Sequence, residues 1–270
     1  MPFEEKKKHI DVNEDVLVSV IMPVHNSSKF VAEAVNSVLS QVYHNWELII
    51  VDDASTDNTA AIIEELAAKD HRIKCLKLSA NQGPGYCRNK ATNIAQGAYI
   101  AFLDSDDLWA PEKLKVQLEF MLKNACAVSF TSYLHIDENG NPLNKRVIAM
   151  PVLSFKKQRS NNYIGNLTGM YHAATLGKIA SPEIPKRQDW ALWLEAIKRS
   201  KKPAKGIVQD LAFYRIRKDS VSANKVRLLK HNYNFYKKHL GYSIPVSIYF
   251  MSCFLWEYFF IRPKFIETLN

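Results

Sequence analysis

Two acidic clusters carry the chemistry that this sequence could do. Asp104-Ser105-Asp106 places two carboxylates two residues apart directly after an apolar run, and Asp107 follows. Carboxylates this close repel, so the arrangement costs free energy unless a cation or hydrogen-bond donors relieve it. Oxygen ligands favour a hard cation, Mg²⁺ or Mn²⁺, which is usually held by one or two carboxylates together with substrate phosphates. A diphosphate ligand is therefore implied. The stretch is not an EF-hand loop, because Trp109 stands where that loop needs glycine. Asp52-Asp53 ends a second apolar run. A carboxylate there could accept from a ribose hydroxyl or a base N–H. One acid after a strand is commonly a helix cap, and Asp107 could serve the helix that follows Pro111. Capping does not account for two clusters on two strands.

These residues need elements to position them. Val16–Val24 reads as a buried strand. Ser27 or Ser28 is expected to cap a helix whose apolar residues Phe30, Val31, Ala34, Val35, Val38 and Leu39 recur at helical spacing. Trp46–Val51 is a second strand, Asp52–Asn58 a turn and cap, and Ile62, Ile63, Leu66 and Ala67 mark a second helix. Ile73–Leu78 is a third strand. The loop Asn81–Gly85 leads into a third helix ending at Gly97. Tyr99–Leu103 is a fourth strand, and Pro111 opens a fourth helix running to about Lys123. This βαβαβαβ order predicts an α/β, mostly parallel sheet with helices on both faces. Its right-handed crossovers bring the loops after the strands to one edge, where open sheets bind ligands. Pro23-Val24-His25-Asn26, Asp52-Asp53 and Asp104–Asp107 all fall on that edge, and Arg88 lies in the first turns of the third helix.

A dinucleotide site would also put an acid after its second strand. It requires Gly-x-Gly-x-x-Gly after the first, where this chain has MPVHNSS, without glycine. Gly83-Pro84-Gly85 comes two strands later, with Arg88 in place of the third glycine. A nucleotidyltransferase would want a glycine- and lysine-rich phosphate loop at the same place. The dinucleotide and nucleotidyltransferase readings are therefore the weaker ones.

Composition sets the outer bounds. The chain has 270 residues, 47% apolar and 23% charged, which excludes disorder along its length. Lys and Arg number 36 against 27 Asp and Glu, a formal +9. The excess is local: Lys198–Leu240 holds 13 basic and 2 acidic residues, a net of +11. Such a stretch points to an anionic partner: lipid, nucleic acid or sugar phosphate. A nucleic-acid-binding module would explain it but leave Asp52, Asp53, Asp104 and Asp106 unexplained, since they repel phosphate without a metal. Cys75, Cys87, Cys126 and Cys253 show no pairing pattern, which predicts neither disulfides nor structural zinc and fits a reducing cytosol. No export signal is expected in the charged opening MPFEEKKKHIDVNED.

Taken together, VSVIMPVHN, SVLSQVYHNWELIIVDDASTDNT and NQGPGYCRNKATNIAQGAYIAFLDSDDLWAPEKL resemble the family 2 glycosyltransferases with the GT-A fold. The likeness runs from about Val18 to Leu122, with weaker motifs to about Lys225. Within that family, the later segments resemble bacterial transferases of O-antigen, capsule and teichuronic acid. The resemblance implies a Rossmann-like GT-A sheet and a UDP-sugar donor held through Mn²⁺ or Mg²⁺. Pro23, Val24 and Asn26 match the stretch lining the nucleotide pocket, and Asp53 the acid on the uracil. Arg88 matches a basic residue near the base or phosphates. Asp104, with Ser105 beside it, matches the acid near the ribose, and Asp106 the metal-binding acid of the DxD motif. KRQDWALWLEAIK, Lys186–Lys198, resembles the segment carrying the base that takes the acceptor proton, which places it at Asp189. Gln188 stands where the family more often has Glu. An apolar stripe of Trp190, Trp193, Leu194 and Ile197 also puts Asp189 where a helix cap would sit. Gly165-Asn166-Leu167-Thr168-Gly169 would line the donor or acceptor cleft through Asn166 and Thr168. Tyr214-Arg215-Ile216-Arg217-Lys218, with Ser220 and Ser222, resembles the segment that closes over the diphosphate; Arg217 replaces a common histidine.

The expected organisation is a charged tail over 1–15, a nucleotide-sugar half over 16–110, an acceptor and catalytic half over 111–225, and a basic, aromatic helical segment over 226–270. Ile244–Ile261 is 18 residues with one charge, Glu257, between Lys237–Lys238 and Arg262–Lys264. Ser247, Ser252, Pro245 and Glu257 disfavour a span, while the aromatic density suits the headgroup region. An interfacial helix on an anionic membrane surface is expected. The alternative is packing on the protein or across a dimer. The resemblance implies a lipid-linked saccharide acceptor, no nucleic-acid partner, and a cytoplasmic, peripheral location at the inner face of the membrane. The lack of a repeated apolar series argues against a synthase that exports its own polymer.

Overall fold

A computed structural model describes residues 15–217 and 225–269. The charged residues before Asp15, together with Lys218, Ser220 and Ser222, lie outside the described residues.

The first half follows the alternation: β1 (Val18–Val24), α1 (Val31–Leu39), β2 (Trp46–Asp52), α2 (Thr59–Lys69), β3 (Ile73–Lys77), α3 (Pro84–Ile94) and β4 (Tyr99–Phe102). β1 pairs in parallel with β2 and with β4, and β2 with β3. Every residue of β1 and β2 is buried, as strands covered on both faces must be. Val18, Val20, Met22 and Val24 point to one face, where they join Val31, Ala34, Val35 and Val38 of α1. Ile21, Ile49 and Val51 point to the other, against Cys87 and Ala91 of α3. Each such side chain contributes roughly 1.5–3 kcal/mol by leaving water, and a slip of one residue would exchange the two faces and bring Ser19 into the α1 layer.

Two local expectations differ. No serine side chain caps α1; its first residue follows Phe30. The Ser27 hydroxyl instead meets that of Ser105 at 2.8 Å, tying the loop after β1 to the loop after β4. α3 ends at Ile94 rather than Gly97. Gly97 serves packing: a Cβ there would sit 2.5 Å from the Ser19 backbone nitrogen.

The second half is where the sheet stops being parallel. It contains β5 (Leu108–Trp109), α4 (Lys113–Lys123), β6 (Val128–Ile136), β7 (Pro142–Val147), β8 (Val152–Leu153), α5 (Phe155–Ser160), β9 (Met170–His172), α6 (Ala173–Leu176), α7 (Gln188–Ser200) and β10 (Ala204–Arg215). β9 lies antiparallel between β4 and β6, and β7 antiparallel on β6. β10 runs parallel to β6 but antiparallel to β5 and β8. With a last strand, β11 (Ile266–Thr268), the result is one mixed sheet whose main path is β11-β7-β6-β9-β4-β1-β2-β3. α7 covers the α3 face with Leu192, Trp193, Ala196 and Ile197.

The chain then forms α8 (Lys225–Asn234), a wide helical turn over Phe235–His239, α9 (Ile244–Trp256), a second wide turn over Glu257–Ile261, a 3-10 turn over Arg262–Phe265, and β11 (Ile266–Thr268). By length and composition Ile244–Phe265 is apolar enough to cross a membrane, with mean hydropathy 1.5. Both of its ends are bound to the same body. Before it, Phe235 stacks on Trp190 of α7 at 4.3 Å; after it, β11 pairs with β7. The helix therefore runs along the domain. Phe250 and Phe254 face inward, whereas Tyr249, Trp256, Phe259 and Phe260 are each more than half exposed.

Candidate active site

The start of α3, the loop at the carboxyl end of β4, the turn at Gly165–Leu167, the start of α7 and the end of β10 enclose a cleft of about 420 Å³. Arg88, Asp104, Asp106, Asn166, Gln188, Asp189, Arg215 and Arg217 line it, together with Asp107, Tyr133, Tyr214, Lys186 and Arg187. The other sequence-derived residues, Pro23, Val24, Asn26, Asp53, Ser105 and Thr168, are not in its wall.

Arg88 reaches from α3 and pairs with Asp104 at 2.6 Å. Its other nitrogen donates to Gln188 Oε1 at 3.3 Å. Gly85 makes room for this, since a Cβ there would lie 2.5 Å from Gln188 Nε2. Asn166 Nδ2 donates to Asp104 Oδ1 at 3.1 Å, while Asn166 Oδ1 is buried without a donor. That unmet acceptor is suited to a sugar or ribose hydroxyl. Arg217 pairs with Asp106 Oδ2 at 2.9 Å. Burial and the facing Asp104 push the Asp106 carboxyl above its usual range against that arginine's pull. Burial and the nearby Asp106 and Asp104 push Asp107 well above it.

Asp107 does not cap α4. Its Oδ1 accepts the Arg215 backbone N–H at 2.9 Å, which fixes the end of β10. Arg215 is itself a clasp. Its Nε donates to the Asp106 carbonyl at 2.8 Å, Nη1 to the carbonyls of Asp137 and Glu138, and Nη2 to Glu33 at 2.6 Å. Its guanidinium thus joins three segments behind the cleft. Sequence position gave no sign of this, because its partners lie 77 to 182 residues away.

Asp53 holds a loop. Its two carboxylate oxygens accept the backbone N–H groups of Gln82 and Gly83 at 2.7 and 2.8 Å. Gly83 has φ +86°, in the left-handed region where glycine is unstrained. Asn26, also left-handed, accepts from Thr56 N–H at 2.9 Å and ties the first loop to the second. Thr168 closes its own turn on the Gly165 carbonyl at 2.7 Å. These residues surround the cleft and shape it from behind.

Asp189 does not cap its helix either. α7 starts at Gln188 after Arg187, which is left-handed. The Asp189 carboxylate lines the same cleft as Asp104, Asp106 and Asp107 and accepts from Asn162 Nδ2 at 2.7 Å. Lys186 and Arg187 precede it and bring positive charge to the same cleft. Lys186, Arg187 and Tyr214 lie inside segments singled out from the sequence but are given no role there, and Tyr133 lies in none of those segments.

A cation would suit this donor set. The acids offer hard oxygen, and burial and Asp104 hold the Asp106 carboxyl up against the pull of Arg217 and a backbone hydrogen bond. Among the described residues no three His, Cys, Asp or Glu side chains surround one point. The protein would therefore supply part of a coordination shell, with phosphate oxygens supplying the rest.

Comparison with known proteins decides the family. Residues 19–179 match the family described as Glycosyl transferase family 2. The chain belongs to this family. It is 42% identical over 222 residues to a glycosyltransferase named for teichuronic acid biosynthesis, TuaG of Bacillus subtilis (strain 168), covering 82% of this chain and 88% of that one. It is 36% identical over 221 residues to the UDP-Glc:alpha-D-GlcNAc-diphosphoundecaprenol beta-1,3-glucosyltransferase WfgD of Escherichia coli, covering 82% and 85%. Among solved structures, S. aureus TarS 1-349 in complex with UDP-GlcNAc superposes with a TM-score of 0.70 over 92% of this chain and 74% of that one, at 23% identity. At that identity the likeness is one of fold, and the fold is GT-A. The chain is a glycosyltransferase.

Proposed function

We propose that this glycosyltransferase moves a sugar, with inversion, from a UDP-sugar to a hydroxyl of a lipid-linked saccharide during bacterial surface polysaccharide synthesis. The carrying observation is the one cleft that brings Arg88, Asp104 and Asp106 together with Asp189. In this reading the nucleotide enters at the β1, β2 and β4 loops, Asp53 and Arg88 on the base and phosphate side and Asp104 near the ribose. Asp106 would hold Mn²⁺ or Mg²⁺, and the ion, when bound, stabilises charge on the departing diphosphate. Arg217 and Lys186 add positive charge to the same cleft. Asp189 accepts the proton of the acceptor hydroxyl as that oxygen attacks the anomeric carbon from the opposite face. The named activity of WfgD supports UDP-glucose as a donor to try first and a diphosphate-lipid saccharide as the acceptor class.

The same proposal places the protein at the inner face of the membrane. Its support is the exposed aromatic face of Ile244–Ile261 and the inward turn of the single acid. Glu257 pairs with Lys157 at 2.6 Å and accepts from Tyr163, so it leaves the outer face free of negative charge. That face suits the headgroup region in the plane of the bilayer.

Calorimetry of UDP with and without Mn²⁺ tests the donor half. Metal-dependent UDP binding that is lost on chelation and in Asp106→Ala is expected. Metal-independent binding, or none, would refute it.

A further inference from the structure

An amide chain runs from the C-terminal segment to the proposed base. Its direction is fixed by the one group in it that can only donate, a backbone N–H. Tyr163 N–H donates to Gln158 Oε1 at 3.0 Å. The Gln158 amide nitrogen must then face Asn162, and Nε2 donates to Asn162 Oδ1 at 2.8 Å. The Asn162 amide nitrogen is left to face Asp189 Oδ2, to which it donates at 2.7 Å. Each amide orientation follows from the one before it.

The chain is anchored at several points. Gln158 is fully buried. Its carbonyl accepts from the indole N–H of Trp190, the neighbour of Asp189, at 2.6 Å. Arg262, which follows the aromatic helix, donates to the Asn162 carbonyl at 2.5 Å. Lys157, one residue before Gln158, is paired with Glu257 of the same segment. The short α5 is thus clamped between α7 and the C-terminal segment, with Asn162 just past its end and bonded to Asp189.

We infer that Asn162 is a positioning residue for Asp189: it holds one carboxylate oxygen, Oδ2, so that the other is presented to the acceptor hydroxyl. The C-terminal segment, through Arg262, sets where Asn162 stands. This rests on reading Asp189 as the base. A base held by a hydrogen bond to its non-reacting atom keeps a near-attack geometry that a free carboxylate would lose, and a misplacement near 1 Å can cost about 10²-fold in rate. The segment read as membrane-associating therefore also completes the catalytic wall, and its removal would disturb both.

The test compares Asn162→Ala and the isosteric Asn162→Asp, alone and combined with Asp189→Asn, with UDP-glucose, UDP-galactose and UDP-GlcNAc as donors and a synthetic GlcNAc-diphosphate-lipid as acceptor. Asn162→Ala is expected to lower kcat about 10- to 100-fold, with donor KM and UDP affinity unchanged. Asn162→Asp, which sets a carboxylate against Asp189, should lower it at least as far. In the Asp189→Asn background Asn162→Ala should cost nothing more, because there is no base left to position. Unchanged kcat in both single variants, or an equal loss in both backgrounds, would overturn the inference while leaving Asp189 as the base. Normal turnover in Asp189→Asn alone would remove the base assignment, and this inference with it.

Discussion

Lys113 allows a quantitative test of how the cleft is supported. It stands in the first turn of α4 and is wholly buried. Its Nζ donates to Gln117 Oε1 at 2.8 Å and lies 4.1 Å from the Trp109 ring centroid. Gln117 in turn donates to the Thr168 carbonyl, and the Trp109 indole to the Leu167 carbonyl, so this cluster holds the turn that carries Asn166. Burial pushes the Lys113 amine down from its ordinary 10.5 to about 7. The unfolded chain binds this proton up to pH 10.5 and the folded chain only to about pH 7. Stability must therefore rise with pH across that window. Between pH 6.5 and 8.5 the difference works out at about 2 kcal/mol for this one group. Lys113→Met removes the titration. It also deprives Gln117 of a donor, a cost independent of pH that is roughly 1–2 kcal/mol. The comparison is therefore of slopes. In urea denaturation the wild type should gain about 2 kcal/mol more than Lys113→Met on going from pH 6.5 to 8.5. Parallel pH profiles for the two proteins would show that the lysine is not neutral in the fold.

Two further outcomes follow from packing. A Cβ on Gly169 would lie 2.1 Å from Trp193 Cζ2, and Trp193 is a fully buried residue of the helix that carries Asp189. Gly169→Ala should therefore cost at least about 2 kcal/mol and lower kcat; an unchanged melting temperature would contradict the packing. Trp256 and Phe259 are exposed, so Trp256→Glu with Phe259→Glu should leave UDP binding intact and weaken sedimentation with phosphatidylglycerol vesicles about tenfold or more. Unchanged sedimentation would refute the membrane face.

The sequence was most readable where structure is local. Strands buried on both faces announce themselves as apolar runs, and alternating helices fix a parallel sheet with its loops on one edge. That was enough to bring Asp104, Asp106 and Arg88 to one place. The antiparallel half was not legible, because β6, β7, β9 and β10 pair across long separations that no local pattern encodes. Roles set by distant partners were hidden for the same reason. Arg215 lies in the segment that resembles a diphosphate closure and also works as a clasp between loops, and Asp53, which resembles a base contact, also takes two backbone N–H groups. Asp107 resembled a helix cap but holds the end of β10. Asn162 carried no signal at all: its meaning depends on Gln158, Arg262 and Asp189 meeting in three dimensions.

The central claim is that Asp189 takes the acceptor proton in a cleft that binds UDP independently of it. The most direct measurement is transfer from the UDP-sugar to the diphosphate-lipid acceptor by Asp189→Asn, with UDP binding measured on the same preparation. The expected result is a loss of kcat on the order of 10²–10⁴ with UDP affinity unchanged. Turnover at the wild-type rate would contradict the claim, and loss of UDP binding together with activity would show that Asp189 serves the donor site instead.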